Sequence, residues 1–448
     1  MKTTLELLRE RLRESFDAFY DGYVDPLDAI DDGDTERWSL AGDNSPGGGP
    51  GMPYTNEHEL TSIRNQCRAL AVSNEFAING HENRVSFIVG TGHAYRVTAR
   101  PGIDAPRLVG EVQETIDTFL RVNQWHKRQQ EIVRRRDRDG EAFLRFFTAA
   151  DGTVRVRFVE PGQVAAPPHR LTDPAAALGI QTARDDVETV LGYWIDGQWV
   201  DAAEIQHRKA NVDANVRRGL PLFYPVRKNL RRAERLLRNM SAVAEIQSAI
   251  ALIRKHAAGS RASLERFVAE GADAALTEPG RMSYFRRYGP GTIVDTFAGT
   301  EYEFPVAGLD AARYVEVLQA ELRAIAARLV MPEFMLTSDA SNANYASTMV
   351  AEGPAVRMFQ RLQHELIEED REVLDRVVQA AIDAGKLPPE APAAVAIQAV
   401  PPSLAVRDRL REAQADQILV RHGAMSIATM AMRHGLEPER ERQLRGQT

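Results

Sequence analysis

Asp28, Asp31, Asp32 and Asp34 crowd carboxylates around Gly33, the composition of a calcium loop. Such a loop needs oxygen ligands at fixed positions, with glycine at the sixth and glutamate at the twelfth. With Gly33 at the sixth, Ile30 falls on the third position and Ser39 on the twelfth, so a solvated acidic turn is the better reading. His81, Glu82 and His93 supply metal-ligand chemistry, but their spacing matches no helix or strand ligand pair. His207, at the end of a strand-like run, reads as a packed or surface histidine rather than a catalyst. GTGHAY (90–95) lacks the third glycine of a dinucleotide fingerprint and reads as a helix stop before a strand. In RRRDRD (134–139) the interleaved aspartates suggest a solvated helix end. No G-x-x-x-x-G-K-[ST], G-x-S-x-G, H-E-x-x-H or C-x-x-C occurs, which leaves phosphate-loop, serine-hydrolase and zinc-protease chemistry without a carrier. No catalytic residue, metal site or cofactor is expected.

One stretch stands apart. SDASNANYASTM (338–349) collects three serines, two asparagines, an aspartate, a threonine and a tyrosine. Such side chains bond their own backbone and favour turns over helix interiors. The stretch reads as a loop longer than the ~2–8 residues usual between helices, and long polar loops tend to carry function. Helical patterns flank it. Leu318, Leu322, Ile325 and Leu329 repeat at i, i+4, i+7 and i+11, which predicts a helix over 309–330. A second helix is expected through about Ala384, with Gly353-Pro354 as a kink.

The rest of the chain divides by pattern. Residues 3–20 read as an amphipathic helix on Leu5, Leu8, Leu12, Phe16 and Phe19. DNSPGGGPGMP (43–53) is a tether or arm. Helical pattern returns over 54–88, a strand at AYRVTA (94–99), and a helix over about 106–138. EAFLRFFT, VRVRFVEP, ETVLGYWI and WVDAAEIQHRK form a β-rich section with turns at Asp139-Gly140, Asp151-Gly152 and Asp196-Gly197. A long helix is expected over 222–258, then a mixed segment to 308, and a helical unit at the end of the chain.

Composition sets limits. The chain has 448 residues, 44% hydrophobic and 27% charged, enough for several cores. Cys67 is the single cysteine, which excludes an internal disulfide framework and fits a reducing compartment. MKTTLELLRERLRESF has no apolar h-region, so no secretory signal is expected, and no apolar run approaches the ~18–20 residues of a membrane span. The net charge of −7 does not suit a protein that lives by gripping nucleic-acid phosphates. Charge is partitioned, however. Residues 221–258 carry eight basic residues against Glu234 and Glu245, a net of +6, and residues 309–370 carry ten acids against five arginines, a net of −5.

The order of five segments resembles the phage portal proteins of the lambda-like branch. They are FAINGHENRVSFIVGTG (76–92), DRDGEAFLRF (137–146) with VRFVEP (156–161), IQHRK (205–209) with RRGLPLFYPVRKNL (217–230), ELRAIAARLVMPEFMLTSDASNANYAST (321–348) and AQADQILVRHGAMSIATMAMRHGLEPE (413–439). One departure is Val330-Met331, where the family usually has glycine before the proline of the loop. The arm at 43–53 maps to nothing in the family pattern.

The resemblance implies an α+β portal-type subunit with a mixed α/β wing, a two-helix stem, a small α/β clip and a helical crown. By position these are an N-terminal helix and arm (1–53), wing (54–221), long helix into the stem (222–258), clip (259–308), second stem helix (309–330), tunnel loop (331–346), connecting helix (347–384) and crown (385–448). It implies a homo-oligomeric ring, twelve subunits in assembled capsids, at one vertex of the virion head after assembly in the host cytoplasm. Double-stranded DNA would pass through it during packaging and ejection. Partners would be the large terminase, the head–tail adaptor, and the major capsid and scaffolding proteins, with no membrane involved. Ser338, Asp339, Ser341, Asn342, Asn344 and Tyr345 would line the channel. Arg313, Glu316, Glu321, Arg323 and Arg328 would line the stem or pair between subunits. Arg227, Lys228, Arg231, Arg232 and Arg235 would meet an acidic face of the next subunit. Two alternatives from other classes are a virion or DNA-processing enzyme on a related scaffold and a monomeric prophage-derived adaptor.

The chemistry of a conduit agrees with these residue types. Each phosphate neutralised by Lys or Arg releases a counterion, and 6–10 such contacts change affinity by ~10³–10⁵ over a modest salt range. DNA in motion cannot be gripped so firmly, whereas amides and hydroxyls touch phosphates without charge.

Overall fold

The computed structural model describes residues 52–184, 186–255, 292–296, 311–339, 345–402, 404, 409–434, 436 and 438–446. In 243, 245–255, 292–296, 311–313, 345–351, 409–412, 439–440 and 443 the description is of the backbone. The expected helix at 3–20, most of the Gly/Pro-rich arm and nearly all of 259–308 lie outside the described residues. The chain forms two compact units, Met1–Lys228 with Ile325–Thr448, and Asn229–Ala324. Among the described residues no helix is long and apolar enough to cross a membrane.

The larger unit begins with α1 (Glu57–Ser73) and α2 (Glu75–Ile88). Both lie within the span where the sequence shows helical pattern, and Asn74 divides them. Its backbone N–H ends α1 on Leu70 O, and its side chain caps α2 by accepting from Ala77 N at 3.1 Å. A capped start satisfies an N–H that the helix cannot. Strand β1 (Ala94–Ala99) follows, then α3 (Pro106–Asn123) and α4 (Trp125–Asp139), which Gln124 separates in a left-handed conformation. The α4 helix ends at Gly140, φ +83°.

Strands β2 (Glu141–Thr148), β3 (Val154–Val159) and β7 (Ile205–Lys209) form an antiparallel sheet in the order β3-β2-β7. A second antiparallel sheet runs β4 (Ile180–Thr182), β5 (Val190–Ile195) and β6 (Gln198–Asp201). Helix α5 (Arg227–Ala249) leaves this region and continues into the smaller unit. There the expected helix to residue 258 fails, because β8 (Ile250–Lys255) is a strand parallel to β9 (Thr292–Thr296). A short apolar run such as IALI has no periodicity to separate helix from strand. The pairing partner decides it.

Helix α6 (Ala311–Leu329) buries Leu318, Leu322, Ile325 and Leu329, as its spacing requires. The expected loop does not span all of 331–346. A short helix α7 (Glu333–Thr337) occupies the start of the expected 331–346 loop, and α8 (Tyr345–Asp383) begins at Tyr345. Between them Ser338 and Asp339 are described, and 340–344 lie outside the described residues. Pro354 lies within α8, which runs past it unbroken. The region after 384 is not wholly helical. After α9 (Ala391–Ala394), β10 (Val395–Val400) pairs antiparallel with β1 from Ala94↔Val400 to Ala99↔Val395. The chain ends in α10 (Arg409–Arg421), α11 (Ile427–Arg433) and α12 (Pro438–Gly446).

The main core gathers side chains from α2, α3, α4, β2, β3 and α8, including Ile116, Trp125, Ile132, Leu144, Phe359 and Leu374. Each is less than a twentieth exposed, a state that stabilises by about 1.5–3 kcal/mol per large apolar side chain. A smaller cluster joins Phe143, Ile180, Tyr193 and Ile205 between the two three-stranded sheets.

Candidate functional site

Glu141, the first residue of β2, is fully buried. Four donors converge on it. Arg64 reaches Oε1, as does Arg218 Nε at 2.9 Å. His207 Nε2 lies 2.9 Å from Oε2, which also accepts the Gly219 N–H at 3.0 Å. Burial alone would raise the carboxyl, but Arg218, Arg64 and the His207 contact outweigh it and hold it well below the usual range. Burial lowers the Arg64 guanidinium to about 10 and depresses His207 below its ordinary value against the opposing pull of Glu141. With both oxygens engaged by protein donors, this carboxylate is a clamp and not an acid or base.

The backbones around the clamp touch. A Cβ at Gly219 would fall 1.9 Å from Gly140 O, and one at Gly140 would fall 2.5 Å from Leu220 C. The D-G-E and R-R-G-L-P motifs are thus two halves of one crossing, tied also by Ala210 N→Gly140 O and Leu222 N→Asp137 O. The crossing fixes where the chain leaves β7 and starts α5.

Two further ionic centres surround it. Arg84 binds Asp137 through Nε and Nη2 at 3.0 and 3.1 Å, with His81 Nδ1 3.5 Å from the same carboxylate. Burial raises Asp137, but Arg84 and His81 prevail and lower it. Asp370 of α8 accepts from Arg208 (2.8 Å), Tyr95 (2.5 Å), Gln129 (2.7 Å) and Trp125 (3.2 Å). RRRDRD is therefore not a solvated helix end. Arg135, Arg136, Asp137 and Asp139 are all buried, with Arg136 bound to Glu365 and Glu369 and Asp139 to Arg68. A buried charge demands such partners, and they lie far away in sequence. The signal in the sequence was the unusual density of arginines beside the D-G-E turn. His93 and Glu82 are occupied elsewhere, by Ile88 O and by Arg134. Among the described residues no group of three His, Cys, Asp or Glu could hold a metal.

The channel candidates divide. Ser338 is exposed with φ +57° and Asp339 is exposed. Ser341, Asn342 and Asn344 lie outside the described residues, and Tyr345 is the first residue of α8, not a loop residue. Before them, α6 ends in a Schellman motif: Met331 N→Ala326 O at 3.1 Å and Val330 N→Ala327 O at 3.2 Å. Val330 holds the left-handed position at φ +53°, where glycine normally sits. This is the structural meaning of the missing family glycine.

Of the stem candidates, Arg313 is described in backbone only, and Glu316 is exposed. Arg323 is also exposed, with Gln319 at 3.4 Å. Arg328 Nε donates to Leu222 O at 3.2 Å within the same chain. The basic helix is less available than its charge suggested. Arg227 is buried, donates to Tyr224 O and lies 4.2 Å over that ring. Lys228, Arg231 and Arg235 are half-buried and Arg232 is exposed. Glu321 accepts from Asn229 at 2.6 Å and lies 4.0 Å from Arg232. The basic and acidic helices thus meet in part within one chain.

Clamped motifs leading into two long helices define a chain of mixed helix and strand. A family model described as phage portal protein, lambda family, matches residues 49–363. The match covers more than half of the 448 residues, and the chain belongs to that family. Comparison with curated protein sequences returns no match. Among solved structures the chain is similar to one in the virion of a native gene transfer agent particle, at 15% identity and TM-score 0.42, covering 87% of this chain and 96% of that one. It is similar to one in the neck of the native particle computed with C12 symmetry, at 16% identity and TM-score 0.42, covering 87% and 97%. It is similar also to an HK97-family phage portal protein from Corynebacterium diphtheriae, at 13% identity and TM-score 0.31, covering 65% and 84%.

Proposed function

We propose that the protein forms the ring at the capsid vertex of a phage or prophage particle, twelve copies in the assembled head, through which double-stranded DNA is packaged and ejected. The family match over residues 49–363 carries this reading. In it, 54–221 is the wing, α5 and α6 are the stem, and 259–308 is the clip that docks the large terminase and later the head–tail adaptor. The connection after Ser338 faces the channel, and the C-terminal helices α10 to α12 belong to the crown. The pairing of β10 with β1 supports drawing the boundary between wing and crown after Val400 in this reading, where the sequence alone suggested 385. A ring closed about a rotation axis needs two different complementary faces on each subunit. In this reading the exposed Arg232 on α5 and the exposed Glu316 on α6 contribute to such faces.

Electron microscopy of the purified protein tests the ring directly. Annular particles with a central hole are expected, and compact monomers refute the reading. Asn342→Lys with Asn344→Lys adds two phosphate-binding charges per copy. It should slow DNA packaging with rings intact, and unchanged packaging would remove 338–344 from the channel.

A further inference from the structure

Asn79 and Asn83 stand one turn apart on α2, where asparagine is a poor helix former. Their amides serve another element. Asn79 Nδ2 donates to Met335 O at 3.0 Å and Leu336 O at 2.7 Å, and Asn83 Nδ2 donates to Met335 O at 2.8 Å. These carbonyls belong to the last turn of α7, which no intrahelical N–H can satisfy. Each contact faces a carbonyl, so only the amide nitrogen can make it. Between the two asparagines lies Gly80, where a Cβ would fall 2.5 Å from Leu329 Cδ1 and 3.2 Å from Leu336 Cδ1. The ends of α6 and α7 therefore rest directly on α2.

Beyond that turn stands Ser338, at φ +57°, a conformation that a serine adopts rarely. Such conformations persist where the surroundings over-determine them. Asn79 Nδ2 reaches Ser338 Oγ at 3.5 Å, Thr337 Oγ1 donates to Glu333 O at 3.0 Å, and Asp339 N donates to Thr337 Oγ1 at 3.3 Å.

We propose that Asn79 and Asn83 are positioning residues for the channel loop. They clamp the last turn of α7 onto α2, so that α2 sets the direction in which the chain leaves Ser338. The clamp rests on geometry alone, and its consequence for DNA rests on the portal reading.

The test uses full-length protein carrying Asn79→Ala, Asn83→Ala, both together, and the near-isosteric Asn79→Asp with Asn83→Asp. Amide hydrogen exchange reports local opening. Loss of these bonds should raise exchange in peptides spanning 333–345 by roughly tenfold, with β2–β3 peptides unchanged. The aspartate pair should open the region more than the alanines, because carboxylate oxygens would face carbonyl oxygens. If the double variants fail to fold, each single alanine variant carries the same comparison. Wild-type exchange over 333–345 in the alanine or aspartate variants overturns the clamp. In rings that form normally, the double alanine variant should package DNA more slowly. Raised exchange with unchanged packaging keeps the clamp and overturns its link to the channel.

Discussion

Val330 offers a test in which the sign of the effect carries the information. The residue closes α6 in the left-handed region, φ +53°, within a complete Schellman hydrogen-bond pair. For a side-chain-bearing residue that region costs about 1–2 kcal/mol. Comparing Val330→Gly with Val330→Ala removes the methyl groups in both, so the difference isolates the backbone. Glycine escapes the strain but loses about 0.5–1 kcal/mol to its freer unfolded chain. The glycine variant should therefore be the more stable by about 0.5–1 kcal/mol. Inside a helix the order is reversed, with alanine ahead by about 1 kcal/mol. Denaturant titration followed by circular dichroism measures both midpoints, and equal slopes confirm that the difference is one of stability. An alanine variant as stable as the glycine variant, or more so, would show that Val330 is not held in the left-handed region.

Other predictions concern charge. Glu141→Ala leaves Arg64 and Arg218 buried without their shared carboxylate and should destabilise by about 3–5 kcal/mol, measured by the same titration. A loss below about 1 kcal/mol contradicts the clamp. The contact between Arg232 and Glu321 spans 4.0 Å with Arg232 exposed, so Arg232→Ala should change stability by less than about 0.5 kcal/mol. Reversing Arg231, Arg232 and Arg235 together should reduce ring formation at low salt, where exposed charges are least screened; normal ring yield counts against them as an interface. Burial lowers His207 from 6.5, against Glu141 and beside Arg218 and Lys209. The unfolded chain then binds the proton more readily, so stability is full above about pH 6.5 and falls as pH drops below it. His93 is lowered for the same reason and acts in the same direction. His207→Gln should flatten the difference in unfolding midpoint between pH 7.5 and 5.5, and an unchanged slope would acquit His207.

Much of the fold was legible locally. The alternating four- and three-residue spacing of Leu318, Leu322, Ile325 and Leu329 places one buried stripe on α6. Asp151-Gly152 makes its expected turn, with Asp151 Oδ1 accepting from Thr153 N at 3.0 Å. The errors share one cause. IALI reads equally as helix or strand until β9 lies beside it, and VAIQAV joined β1 across a separation of some 300 residues. The polar stretch read as loop to residue 346 because its turn-favouring residues run into YAST, the polar first turn of α8. Asn79 and Asn83 gave a signal that a solvated helix face would also give.

Periodicity, breakers and motif order determined from sequence alone where helices and strands lie in most of the chain, and to which family it is similar. Tertiary structure decided which charges are buried. Arg218 meets Glu141 across 77 positions, and Tyr95 meets Asp370 across 275. A charged side chain has the same local pattern whether it faces water or a distant partner, and only the partner's arrival makes its burial affordable. The same holds at the end of α7, where the Met335 and Leu336 carbonyls accept from two amides of a helix more than 250 residues earlier.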